Sequence, residues 1–394
     1  MYQLTTRKRT YILAVLVFVS LAGGLRWRAV QKLPIDFDED NYLQAAQHMA
    51  VAMREGRWAK LSQIHHNTEH PQLSKLAYAA AIAPEEPAQR LLNAPVNGPR
   101  AKTLPEPHLK RARTLSAVIG TIEVLVLALM NPLAGFFLAI HTYTIKYTSQ
   151  VMLEALPALT SALTIVAYEK HRTQQRGRRW LWLSAMALGL TASCKYLYCL
   201  VGLVILIHWI WTSRQQTRLA WATTFGWMAA WGGVSLLVFY ATNPYLWPAP
   251  IERLTESVLF HRAFSQSGVV EQAGYPAWQP LVWLSKSVPW HRRVFVLRLD
   301  LGISLLALVG LWPLGRQRPL YVLWIVVGLC FLLVWPTKWP QYILTLSFPW
   351  CLAAAYGAQV LVGRPIQWLI KKRRPSHASF DAPTVAETVV PNNL

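Results

Sequence analysis

The chain has 394 residues, 54% hydrophobic and only 14% charged, with 19 Trp and a formal net charge of +21. A mean hydropathy of +0.26 with so few charges excludes an ordinary soluble domain and a disordered chain, and points to a polytopic membrane protein. The Lys and Arg stand in short clusters between apolar runs, where they orient spans rather than bind nucleic acid.

The first apolar run, Tyr11 to Leu25, follows "RKR" at Arg7 to Arg9. No small-x-small cleavage site follows it, so it reads as an uncleaved first span with a cytoplasmic amino end. Further runs at 113–130, 132–148, 151–168, 180–194, 196–212, 219–241, 294–313, 319–335 and 340–362 bring the total to about ten spans. Crossing roughly 30 Å of hydrocarbon takes about 20 residues, so the shorter runs must borrow flanking positions. Ten crossings put both termini in the cytoplasm, together with the basic stretches 170–179, 214–218, 316–318 and 371–374, as the positive-inside rule asks.

The expected fold is therefore an all-α polytopic membrane protein. Residues 1–370 form its transmembrane domain, with long extracytoplasmic loops at 30–112 and 242–293, and 371–394 form a basic, disordered cytoplasmic tail. Leu43, Ala46, Met49, Ala50 and Met53 recur at helical spacing, which predicts amphipathic surface helices in the first loop.

That loop opens with "LPIDFDEDNY", in which Asp36, Asp38, Glu39 and Asp40 crowd into five positions of a strongly basic chain. Asp38 or Asp40 can cap a helix, and acids in a first turn oppose the positive end of its dipole. Four adjacent carboxylates repel one another unless a cation or a proton-accepting role uses them. Glu154, in "MLEALPAL", falls near the outer end of the fourth span and reads either as a first-turn acid or as a second wall of the same external cavity.

Cations accompany the acids. Lys195 in "CKYLY" and Lys338 in "PTKWPQYILTL" occupy outer turns, where a lysine either snorkels or binds an anion. His70 in "HPQLSK", with Lys75 close behind, stands in the first long loop. Carboxylates beside several cations at the outer leaflet suit a site that activates a hydroxyl while holding a lipid phosphate. Glu123 falls mid-span, and Arg298 with Asp300 lies near the outer end of the eighth; a functional role and an internal pair are both open for them. Trp278, Trp283 and Trp290 read as an interfacial aromatic belt before they read as sugar platforms. Cys194, Cys199, Cys330 and Cys351 have no zinc spacing and imply neither a disulfide framework nor a structural metal.

The order of "FDEDNY", "HPQLSK", "MLEALPAL", "CKYLY" and "PTKWPQYILTL" resembles the successive signatures of GT-C-fold membrane glycosyltransferases of the protein mannosyltransferase and lipid A aminoarabinose transferase type (glycosyltransferase family 39-like), over most of residues 1–362. The resemblance implies transfer of a sugar from a polyprenyl-phosphate-linked donor to a lipid, glycan or protein acceptor on the extracytoplasmic side of the cell membrane. It maps the catalytic acids to Asp38, Glu39 and Glu154, with Asp38 as base, and the donor-phosphate ligands to Lys195, Lys338, His70, Tyr196 and Tyr342. Gln72 stands where the family's "HPP" element has its second proline. The resemblance fixes no cofactor; Asp36 and Asp40 leave room for a divalent cation, the less favoured alternative. The rival readings are a polytopic transporter or flippase of lipid-linked substrates, which the missing internal repeat disfavours, and a non-enzymatic scaffold, which leaves the acids and lysines unexplained.

Overall fold

A computed structural model describes residues 2–95, 103–174, 178–214 and 217–373. The expected tail is helical as far as Arg373, and the rest of it lies outside the described residues. Among the described residues there are only helices, turns and irregular segments, with no strand. The helices are α1 (Tyr2–Lys32), α2 (Glu39–Arg54), α3 (Leu73–Ile82), α4 (Gln89–Leu92), α5 (Glu106–Met130), α6 (Pro132–Ile140), α7 (Thr142–Tyr147), α8 (Ala155–Gln174), α9 (Arg179–Cys194), α10 (Leu200–Ser213), α11 (Arg218–Ala241), α12 (Pro250–Phe264), α13 (Gly268–Ala273), α14 (Gln279–Ser285), α15 (Asp300–Gln317), α16 (Pro319–Val334) and α17 (Leu344–Arg373).

Among the described residues five helical segments are long and apolar enough to cross a membrane: Lys8–Lys32, Glu106–Met130, Tyr196–Ser213, Ala220–Ala241 and Pro340–Val362. The run 132–148, expected as one span, is two short helices broken at His141. Asn131 starts the first of them, its side-chain oxygen accepting from the amides of Leu133 (3.1 Å) and Ala134 (3.3 Å), and Pro132 follows where a missing N–H costs nothing. His141 starts the second, its Nδ1 accepting from the Thr144 amide at 3.3 Å. The pair still carries the chain from one end of the bundle to the other. At one end the Tyr11 hydroxyl of α1 donates to the Leu129 carbonyl of α5 (2.6 Å), and at the other Lys146 of α7 meets Asp36, just beyond α1. The eighth span starts at Asp300 rather than 294, after an irregular segment whose Arg293 and Val294 carbonyls accept from Arg28 of α1.

Packing runs through α1 on α5, α8 on α9, α9 on α11, and α15 on α17. The last crossing needs glycine on both helices. A Cβ on Gly310 would lie 1.8 Å from the Ala353 carbonyl oxygen, and one on Gly357 would lie 1.9 Å from that of Leu306. In a lipid environment such small-residue contacts replace the hydrophobic drive that water supplies elsewhere.

The two long loops pack as one cap over one end of the bundle. α2 buries Leu43, Ala46, Met49 and Ala50 against the neighbouring α3, α4 and α5. The second loop grips the first: Gln72 Oε1 accepts from the Tyr245 amide (2.9 Å), Arg253 donates to the Ser62 carbonyl (2.7 Å), and Ser257 (2.7 Å) and His261 (2.9 Å) meet the Glu69 carbonyl. Gln72 is thus one of four side chains that tie the loops together.

Candidate active site

The four clustered acids divide under the cap. Glu39 is fully buried and occupied: Arg113 at the head of α5 donates to both its oxygens, Nε at 2.8 Å and Nη2 at 2.5 Å, while the amides of Val151 (2.7 Å) and Asp36 (2.9 Å) also donate to it. The expectation that Glu39 acts in catalysis thus meets a carboxylate whose acceptor positions are spent on fixing the loop. Asp36 forms an ion pair with Lys146, whose ammonium also lies 4.0 Å from the Tyr147 ring centre. Asp40 accepts from the Asn41 amide at 2.9 Å.

Asp38 differs from all three. It holds the N-cap position of α2, yet its carboxylate accepts no bond from the first-turn amides, so capping is not its task. Burial pushes its pKa up to about 6, the nearby Glu154, Asp36 and Asp40 carboxylates push the same way, and Lys195 pulls against them. The electrostatic neighbours of Asp38 therefore include Glu154 and Lys195, the two residues expected from later motifs.

Glu154 is buried and ion-paired through Oε1 with Lys195, at the end of α9, while its Oε2 has no hydrogen-bond partner among the described residues. Lys195 Nζ also stands 5.3 Å from the ring centre of Tyr342. His70 comes to the same place: its ring centre is 6.2 Å from Tyr42 and 5.2 Å from His261 of α12, which lies 6.4 Å from Tyr196. Burial and then the Lys195, His261 and Lys75 charges hold the His70 imidazole well below its usual pKa. Lys75 is pushed down to about 7 by burial, with Glu69 opposing, and its ammonium donates to the carbonyls of Asn67 (2.5 Å) and His70 (2.9 Å). It thereby fixes the turn that carries His70.

Asp38, Glu154, Lys195, His70, Tyr196 and Tyr342 are thus drawn together. Lys338 adjoins Tyr342 along one wall, but its ammonium donates to the carbonyls of Leu332 (2.8 Å), Leu333 (3.1 Å) and Trp335 at the end of α16. That arrangement closes a helix terminus rather than presenting a cation to a phosphate. Of the two acids left for a divalent cation, Asp36 is paired with the Lys146 ammonium, and Asp40 accepts from the Asn41 amide.

Several residues that matter here escape a reading by motif. Lys146 carries a signal, a lysine inside an apolar run. Arg113 heads an apolar run and looks like a snorkelling boundary charge. Asp300 bonds not to Arg298 but to Thr142, through the amide (2.9 Å) and hydroxyl (3.0 Å), and to the Ser287 hydroxyl (2.6 Å). Glu123 interacts with the buried Arg26 of α1.

Among solved structures, ArnT from Cupriavidus metallidurans bound to undecaprenyl phosphate matches 91% of this chain with a TM-score of 0.61 at 16% identity, over 62% of its own length. The chain has the GT-C fold. ArnT in the apo state also matches 91% of the chain (TM-score 0.58, 16% identity, 61% of that protein). The archaeal oligosaccharyltransferase AglB from Archaeoglobus fulgidus, in complex with an inhibitory peptide and a dolichol-phosphate, matches 94% (TM-score 0.54, 10% identity, 52% of that protein). This GT-C chain therefore spans about three fifths of ArnT and about half of AglB. No family profile and no curated protein sequence matches it. It is a multi-pass membrane protein of the same helical class as these transferases.

Proposed function

We propose that this protein transfers a sugar from a polyprenyl-phosphate-linked donor to a hydroxyl or amine of a lipid, glycan or protein acceptor, on the extracytoplasmic face of the membrane. The observation that carries this reading is Asp38: a carboxylate with a pKa of about 6, free of capping duty, beside the Glu154–Lys195 pair, in a bundle whose fold matches a transferase crystallised with undecaprenyl phosphate.

On this reading Asp38 accepts the proton of the acceptor nucleophile as that atom bonds to the anomeric carbon. The bond from the anomeric carbon to the phosphate oxygen breaks in the same step, and its electron pair leaves on the polyprenyl phosphate. A pKa near the working pH lets the carboxylate be ionised yet basic enough to take the proton. The leaving phosphate is already a stable anion, so it needs cations rather than a general acid. Lys195 supplies one from its buried place beside Glu154. His70 and Tyr342 supply polar donors, Tyr196 lines the approach beside His261, and Glu154 orients the Lys195 ammonium. Glu39 acts as a positioning residue, holding Asp38 in place through Arg113 and the Val151 amide. In place of the phosphate role expected of it, Lys338 closes α16 behind Tyr342.

The test is single-turnover transfer by the purified full chain from a polyprenyl-phosphate sugar to a candidate acceptor lipid, with Asp38→Asn as the control. Release of polyprenyl phosphate by wild type and not by the variant is expected. Movement of intact donor across a vesicle membrane without bond cleavage would favour the flippase reading instead.

A further inference from the structure

We propose that a cavity at the opposite end of the bundle, between α8, α9, α10 and α11, is a binding site for a phosphate group. Its volume is about 190 Å³, below the roughly 300–1,000 Å³ of pockets that hold whole drug-sized ligands and so suited to a head group rather than a complete lipid. Three cationic or protonatable side chains line it, His171 and Arg172 from the end of α8 and Arg178 from the start of α9. Trp209 and Trp227 form walls, and the buried Ser213 offers a hydroxyl.

Among the described residues, no carboxylate lines this cavity. Glu169, one turn before Arg172, is engaged elsewhere, accepting from the Tyr321 hydroxyl at 2.8 Å and from Arg318 at 3.5 Å. The ion pairs among the described residues include neither Arg172 nor Arg178. Arg178 instead lies over the Trp227 ring, its guanidinium carbon 3.9 Å from the ring centre, which fixes the plane while leaving its N–H groups available. Two guanidiniums lining one cavity without an ion-pair partner repel one another, and an anion between them relieves that repulsion. Planar guanidinium groups match phosphate oxygens in pairs, which singles out phosphate over a monovalent halide. The phosphate belongs either to an anionic lipid or to a soluble phosphate ion; basic pockets between helix ends at a membrane surface take the former.

Thermal unfolding of the purified full chain separates these sources. Wild type, Arg172→Gln and Arg178→Gln are heated in micelles containing phosphatidylglycerol or phosphatidylcholine, and with inorganic phosphate alone; native mass spectrometry counts the lipids retained. Phosphatidylglycerol is expected to raise the wild-type midpoint by several degrees, with half-saturation at about tenfold higher lipid in either variant. Phosphatidylcholine should do little, because the two arginines repel its choline. A rise with inorganic phosphate alone, lost in both variants, assigns the same site to a soluble ion. Equal responses in wild type and variants, or equal responses to both lipids, overturn the proposal. Both arginines are exposed at the bundle surface and Gln keeps their polarity, so the variants are expected to fold.

Discussion

The two ends of the bundle handle charge in opposite ways. Under the cap, buried and half-buried carboxylates are matched by cations from distant parts of the chain: Glu39 by Arg113, Asp36 by Lys146, Glu154 by Lys195. At the other end cations outnumber acids, and Arg178, Lys170 and Arg316 rest on the indoles of Trp227, Trp180 and Trp312. Burial explains the difference, since an ion out of water demands a partner, whereas one at a membrane surface keeps water and lipid phosphates to hand. Asp38 breaks the pattern at the capped end: among the described residues no ion pair and no helix-capping bond holds its carboxylate.

The hardest test of this contrast is Arg113→Met. It strands the fully buried Glu39 carboxylate without its cation, at a cost of about 3–5 kcal/mol. Loss of folded, membrane-inserted yield is expected, with recovery in the Arg113→Met/Glu39→Gln double variant. Normal yield of the single variant would mean that the two amides alone carry the charge.

Asp38→Asn should leave yield and donor binding intact while turnover falls by about 10². Were Asp38→Asn near wild type, the unpaired acid would not be the base.

A pH profile sharpens the same point. With its pKa raised to about 6, Asp38 loses its charge below that pH; if it is the base, kcat/KM should climb as pH rises through about 6 and should be about tenfold lower at pH 5 than on the plateau. Glu154 raises this pKa and Lys195 lowers it. Glu154→Gln should therefore shift the midpoint to lower pH and Lys195→Met to higher pH. Shifts in the same direction would break the assignment.

The smallest effect is expected at Lys338. With its ammonium spent on three carbonyls, Lys338→Met should cost about 1 kcal/mol of stability through lost capping and leave donor affinity within about twofold of wild type, whereas Lys195→Met should weaken donor binding clearly. Isothermal titration with a polyprenyl phosphate distinguishes the two. A large loss at Lys338 would restore it as a phosphate ligand.

Much of this molecule was legible before any fold was known. Apolar runs and low charge imposed a membrane bundle, because backbone groups in lipid must be satisfied within helices. The motif order named residues that do converge: Asp38, His70, Glu154, Lys195, Tyr196 and Tyr342. Sequence could not separate Asp36 and Glu39, each paired with a distant cation, from Asp38, which has no ion pair among the described residues. That division depends on Arg113, 74 positions from Glu39, and on Lys146, 110 positions from Asp36. It could not see that Lys338 folds back on its own helix end, nor that α12 brings His261 beside His70. Apolar periodicity is a local property and survives in the sequence, whereas the pairing of buried charges follows from which helix ends approach one another. Tertiary packing alone decided that.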